Sequence, residues 1–302
     1  MGARGDPRRR KDQRRRLASV SENPSIVLSG SGLAASIEPD AYVDGAYQLV
    51  VDGTPQSHVN MTDPRELFFE YVRRIGHVVD LVRSPAAPIT AVHLGAGALT
   101  LPRYVDATRP GSRQQVIELE RDLVDFVREH LPWPKRAQIR VRYGDAREVL
   151  GRLPAGLHGT VDLVISDIFN GAQTPAHVTS TEFYAMVSAL LSPDGMLAVN
   201  VADGPGLAFA RGQAATLSEV FGEVAALADT QILKGRRFGN VVLVASRSML
   251  PLDMVPRLLA GGPYPAKLVA GRELRDFMAG ARPVSDAEAT PSPEPSRTVF
   301  GL

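Results

Sequence analysis

A doubly wound α/β domain, with a mostly parallel sheet closed by a C-terminal antiparallel hairpin and preceded by a small N-terminal β-subdomain, is the fold this sequence predicts. Three observations lead there: strand and helix patterns alternate from residue 89 onward, the alternation fails near residue 223, and four short strand-like runs precede the first helix. The chain has 302 residues, 44% of them hydrophobic, enough to bury a large core.

The runs SIVLSG, LAASIEP, YQLVVDG and PQSHVNM, separated by Gly, Pro and Asp, read as the strands of a subdomain over residues 25–61. The period then changes in TDPRELFFEYVRRIGHVVDLV. Thr62 or Asp63 as N-cap, Pro64 in the first turn, and Leu67, Tyr71, Ile75 and Val78 at helical spacing predict a helix from about residue 62, ended by RSPAAP. Next come strand ITAVHLG, helix LTLPRYVDA, strand RQQVIELE, helix RDLVDFVREHL, strand AQIRVRYGD, helix AREVLGRL, strand VDLVISDIF, helix STEFYAMVSALLSPDG and strand MLAVNVAD. Each crossover helix must cover one face of a parallel sheet. EVAALADTQI and GNVVLVASR, joined by LKGRRF, lack a convincing helix between them and predict the closing hairpin. That ending belongs to the methyltransferase variant of the Rossmann-like architecture, which spans residues 62–250 here. The extension 251–302 contains a helix in GRELRDFMAG and the Pro- and Ser-rich SDAEATPSPEPS, whose composition reads as mobile.

Composition excludes several chemistries. With no cysteine there are no disulfides, no thiolate catalysis and no cysteine-ligated metal. The formal charge of +1 is uneven: residues 1–16, within a stretch over 1–24 read as a disordered basic tail, hold Arg4, Arg8, Arg9, Arg10, Lys11, Arg14, Arg15 and Arg16 against Asp6 and Asp12. That is about +6, leaving about −5 on the remainder. A solvated extension is the simpler reading of the tail, with a weak contact to nucleic acid or anionic lipid as the alternative. LASVSENPSIVLSG is too interrupted for an export signal, and no run reaches the roughly 18 to 20 apolar residues of a bilayer span. A cytoplasmic protein without a membrane partner is expected. His58, His77, His93, His130 and His158 lack ligand spacing, so no metal is expected, and GxxxxGK[ST], HExxH and GxSxG are absent.

The candidate site begins at AVHLGAGALTLPRYV, where Gly95 and Gly97 fall at a sharp strand-to-helix turn and would let backbone amides approach a ligand. Thr100 stands where the dinucleotide fingerprint has its third small residue. In QQVIELE, Glu118 closes the next strand, 21 residues beyond Gly97, where a carboxylate accepts two ribose hydroxyls. Gly144 and Asp145 end the third strand, the aspartate suited to an adenine amino group and Ala146 small enough to leave room for the ring. Asp167 follows LVIS at the end of the fourth, on the rim where open α/β sheets bind ligands. His177 is a minor candidate for acid–base work in the loop beyond.

Together these residues resemble the spermidine synthase family, the aminopropyltransferases on the class I S-adenosylmethionine-dependent methyltransferase fold, over roughly residues 40–250. LVVDGTPQSHV looks like the N-terminal hairpin whose glutamine, here Gln56, contacts the nucleoside. HLGAGALT resembles the glycine motif, VIELE the ribose-binding acid, YGDAR the adenine motif, VISDIFNGAQTP the catalytic loop and GNVVLVAS the closing hairpin. The resemblance implies a donor that is S-adenosylmethionine or its decarboxylated form, a small-molecule acceptor of polyamine type, and catalytic roles for Asp167 and Asn170. It is compatible with a homodimer paired through the N-terminal strands.

Two departures stand out. The aspartate expected after the glycines is Ala98, and the second catalytic-loop aspartate is Asn170. Alanine cannot neutralise the ammonium of a decarboxylated donor, and asparagine cannot take a proton from an amine. Where the family shows a tyrosine, a histidine and a glutamate, FFEYV places Phe69, Glu70 and Tyr71, with Tyr71 read as packing on the helix's apolar face. Aminopropyl transfer, methyl transfer and nucleoside binding without turnover all stay open, with a nicotinamide oxidoreductase a weaker fourth reading.

Overall fold

The computed structural model describes residues 23–260 and 266–294; the basic tail up to residue 22 and the last eight residues lie outside them. Strands β1 (Ser25–Val27), β2 (Ala34–Pro39), β3 (Ala46–Val51) and β4 (Thr54–Asn60) form an antiparallel sheet in sequence order. Helix α1 (Glu70–Leu81) follows. It starts eight residues later than the sequence predicts, and the reason is Asn60. Its carboxamide oxygen accepts the amides of Thr62 and Asp63 and the Thr62 hydroxyl, and its amide donates to Glu66 at 2.6 Å. These bonds hold the chain in a turn where helix would otherwise nucleate.

The alternating region forms as predicted: β5 (Thr90–Leu94), α2 (Thr100–Thr108), β6 (Arg113–Glu118), α3 (Arg121–His130), β7 (Gln138–Tyr143), α4 (Ala146–Leu150), β8 (Val161–Ser166), α5 (Thr181–Leu190) and β9 (Leu191–Asp203). Sequence reasoning passed over α6 (Ala208–Val220), an alanine-rich helix whose low apolar contrast hides Ala210, Ala214 and Leu217, all fully buried. The hairpin is β10 (Glu223–Ala228) and β11 (Gly239–Ser246), antiparallel as expected, with one short helical turn α7 (Thr230–Leu233) between them. Beyond it lie α8 (Val255–Ala260), an unforeseen edge strand β12 (Lys267–Ala270) and α9 (Gly271–Met278).

The main sheet runs β12-β10-β11-β9-β8-β5-β6-β7, parallel from β9 through β7 and antiparallel elsewhere. Chain order reverses between β5 and β8, so the crevice for a ligand opens at their carboxyl ends. β8 is buried along its whole length, as a central parallel strand covered on both faces must be. A third apolar cluster, including Leu49, Val59, Leu99 and Val124, welds the N-terminal sheet onto this crevice.

Residues 281–294 differ from their composition. Val284 accepts the amide of Thr181 at 2.9 Å, Asp286 takes both terminal nitrogens of Arg147 at 2.7 and 2.6 Å, and Ser292 is fully buried against Thr174. Backbone and side-chain partners on the body satisfy this Pro- and Ser-rich segment where water would satisfy a mobile one.

Candidate active site

The sheet's carboxyl edge surrounds a cavity of about 600 Å³ lined by Gln56, Gly95, Gly97, Glu118, Gly144, Asp145, Ala146, Asp167 and Asn170. Nine residues singled out from the sequence therefore meet in one place, and His177 lines the same cavity. The turn after β5 explains the two glycines. Gly95 (φ 93°) lies so close to the Asp167 carbonyl, and Gly97 (φ 48°) to the Ser57 hydroxyl, that a Cβ at either would collide. Leu99 (φ 57°) also sits in the left-handed region, at a cost of about 1–2 kcal/mol, which its complete burial offsets. Ser57 accepts the Ala98 amide at 3.1 Å and Thr100 donates to the His58 carbonyl at 3.0 Å, so β4 clamps the turn and carries Gln56 over the cavity.

Glu118 accepts the amides of Ala96 and Glu120 at 2.8 and 2.9 Å, one on each oxygen, leaving lone pairs on both for further donors. Burial nonetheless pushes its carboxyl above the ordinary range. Asp145 caps α4 by accepting the Glu148 amide at 3.1 Å, and its other oxygen meets His177 Nε2 at 2.6 Å. Burial opposes ionisation of Asp145, but these partners outweigh it and hold the carboxyl below its usual value.

Asp167 stands apart in its environment. Its amide continues the β8 ladder by donating to Leu94 at 2.9 Å, and its side chain accepts from Asn200 Nδ2 at 2.8 Å, whose own oxygen accepts from Asn240 Nδ2 at 3.0 Å. Desolvation pushes its carboxyl up to about 6, against the lowering effect of Asn200 and the Tyr71 hydroxyl. Tyr71 thus departs from its expected role: it lines the cavity beside Asp167, while its ring still packs on α1's apolar neighbours. Its position in the first turn of a helix that starts at residue 70 places it at the rim.

A second cavity of about 350 Å³ adjoins the first, sharing Gln56, Tyr71, Phe169 and Gly171 as a common wall. Asn200, Asn240, Glu70, Arg74 and Arg237 line only this side. None of these five was singled out for function by sequence reasoning except Glu70, whose place in FFEYV was the signal. Asn170 is exposed, its backbone paired to Gln173 by bonds of 2.8 and 3.2 Å that shape the loop over both cavities. Ala98 is fully buried in the cluster beneath the N-terminal sheet and lines neither cavity. Among the described residues no three His, Asp or Glu gather as a metal site, and no helix is long and apolar enough to cross a membrane.

No family model matches the chain. It is 29% identical over 164 residues to the polyamine aminopropyltransferase of Vibrio vulnificus, covering 53% of this chain and 52% of that protein. It is also 29% identical over 136 residues to a probable polyamine aminopropyl transferase of Bifidobacterium longum, covering 44% of this chain and 29% of that one. The chain thus spans about half the length of the first of these curated relatives and less of the second. A solved spermidine synthase in complex with the transition-state analogue AdoDATO shares the fold, with a TM-score of 0.55 and 16% identity over 85% of this chain and 84% of that one. The crystal structure of a probable spermidine synthase from Corynebacterium glutamicum superposes with a TM-score of 0.79 and 31% identity, covering 87% of this chain and 96% of that chain. Agreement of sequence and fold across almost the whole of that structure places this chain in the spermidine synthase family.

Proposed function

We propose that the protein is an alkyltransferase that takes an adenosyl sulfonium donor in the larger cavity and an amine acceptor in the smaller one. The observation that carries this reading is the Asp167 carboxylate in the wall of the larger cavity, next to Tyr71, which lines both cavities, and bonded by Asn200 of the smaller one, with burial raising its pKa to about 6. A base of that strength is mostly ionised at neutral pH yet basic enough to receive a proton. Glu118 suits the ribose diol and Asp145 the adenine amino group, with Ala146 giving the ring room.

In the reaction, the acceptor's nitrogen lone pair attacks the carbon bonded to sulfur, the carbon–sulfur bond breaks, and its electron pair neutralises the sulfonium to a thioether. The proton lost by the nitrogen passes to Asp167. Asn200 fixes the carboxylate's direction, and positioning supplies most of the acceleration.

Aminopropyl transfer is the family's reaction. Methyl transfer from S-adenosylmethionine is favoured by one specific observation: with Ala98 sealed in the core and Asn170 neutral, neither position supplies a carboxylate for a donor arm that ends in an ammonium alone. S-adenosylmethionine brings its own. Parallel calorimetric titration with S-adenosylmethionine, its decarboxylated form and methylthioadenosine, followed by turnover with putrescine, separates the readings. Tighter binding of the decarboxylated donor with spermidine formed supports aminopropyl transfer. Preference for S-adenosylmethionine without polyamine product supports methyl transfer, and binding of none removes the transferase reading.

A further inference from the structure

The smaller cavity carries the wrong charge for a diamine. Its lining holds the guanidinium groups of Arg74 and Arg237 against one carboxylate, Glu70. Arg74 is only 3% exposed, and although its Nη2 donates to Glu70 at 3.0 Å, its Nη1 is buried without a hydrogen-bond partner. A buried charged donor left unpaired is costly and calls for an acceptor. Arg237, half-exposed at the rim, has only a loose ion pair with Asp229 at 3.6 Å. Phe69, Phe169, Ile232 and Phe238 give the same cavity an apolar lining, and Asn200 in its wall bonds Asp167 of the larger one.

We infer that the acceptor is an amine that also carries a carboxylate, bound with its nitrogen toward Asp167 and its carboxylate on Arg74. The inference rests on the transferase reading for the direction of the amine. Tyr71 and Arg74 are three residues apart on α1 and so neighbours on one helix face, which sets the two polar ends of the ligand about one helical turn apart, joined by an apolar stem. A planar guanidinium with a free donor matches a carboxylate, whereas a second ammonium in the same place would meet like charge.

The pair 4-aminobutyrate and putrescine tests this, because the two share a four-carbon amine and differ in carboxylate against ammonium at the far end. Each is titrated calorimetrically into the full chain, with and without saturating methylthioadenosine. The expected result is at least ten-fold tighter binding of 4-aminobutyrate, abolished in Arg74→Gln and weakened several-fold in Arg237→Gln. Glu70→Gln, which frees Arg74 from its intrahelical partner, should tighten 4-aminobutyrate, whereas in a diamine site the same change would weaken putrescine. Putrescine binding equally or better, neither compound binding, or a preference that survives Arg74→Gln overturns the inference. If Arg74→Gln does not fold, the rim variant and Glu70→Gln decide it. Failure of methylthioadenosine to bind removes the transferase reading separately, since the titrations without nucleoside still report the sign of the cavity.

Discussion

The larger cavity keeps a carboxylate at the carboxyl end of each of β6, β7 and β8, Glu118, Asp145 and Asp167, whereas the smaller one beside it sets two arginines against Glu70. The first set is anchored by backbone: Glu118 accepts amides from the turns after β5 and β6, and Asp145 accepts one from the first turn of α4. The second hangs on α1 and the hairpin, where a side chain can change without disturbing a turn. Carboxylates that also cap or brace the scaffold are costly to replace, while those that serve only a substrate are free to follow it.

Asp167, in the larger cavity and bonded by Asn200 of the smaller one, gives the largest expected effect. Asp167→Asn should lower turnover by about 10²–10⁴-fold, the usual worth of a positioned acid or base, measured as thioether product formed with whichever acceptor the titrations select. Activity within three-fold of the parent would show that the Asp167 carboxylate is not the base. The same substitution should stabilise the fold at neutral pH. Burial raises the folded-state pKa from 3.8 to about 6, so the folded chain holds the proton more tightly and stability falls as pH rises between those values. Asparagine escapes that penalty, and its melting temperature should exceed the parent's at pH 8 and approach it at pH 4. Over the same range kcat/KM of the parent should climb as Asp167 loses its proton and level off above about pH 7.

Glu118→Gln probes the larger cavity alone. An amide accepts on one side only, so either a backbone donor or a ribose hydroxyl loses its partner. Methylthioadenosine affinity should fall by about ten- to a hundred-fold, the range for a hydrogen bond to a charged group, with putrescine and 4-aminobutyrate binding unchanged. Equal losses in both cavities would mean that the two are coupled through the loop after β8.

The same contrast explains what was legible in the sequence. Glu118, Asp145 and Asp167 each close a predicted strand, and the parallel topology alone brings such positions to one edge. Gly95 and Gly97 were visible as a turn, but the reasons for them, the Asp167 carbonyl and the Ser57 hydroxyl, come from residues 72 and 40 positions away. Arg74, Asn200 and Asn240 gave no local signal, because an arginine on a helix or an asparagine in a strand acquires its meaning from the register of distant elements. The delayed start of α1 turned on one side chain, Asn60, whose competition with the helix is invisible to periodicity. Composition misread the last segment for a related reason: Pro- and Ser-rich chain becomes ordered where a body offers backbone partners.

That last segment supplies the smallest effect and a further way to separate the cavities. Ser292, fully buried, exchanges backbone and side-chain bonds with Thr174 and offers its carbonyl to Gln173, so it pins the loop from residue 170 to 178 from outside. Asp286 pairs with Arg147 and Ser180, but it is 43% exposed, and a solvated ion pair contributes little despite a carboxyl held down to about 2 by Arg147. Ser292→Ala should therefore lower the melting temperature more than Asp286→Asn, since it strands the Thr174 amide at a cost of about 1–3 kcal/mol. The loop's Pro175 and His177 line only the larger cavity, whereas Gly171 and Ala172 border both. Loosening the loop through Ser292 should weaken methylthioadenosine by a few-fold and leave 4-aminobutyrate nearly unchanged. If Asp286→Asn proves the more damaging, the segment is held by charge instead, and raising the salt concentration should then reproduce the loss in the parent protein.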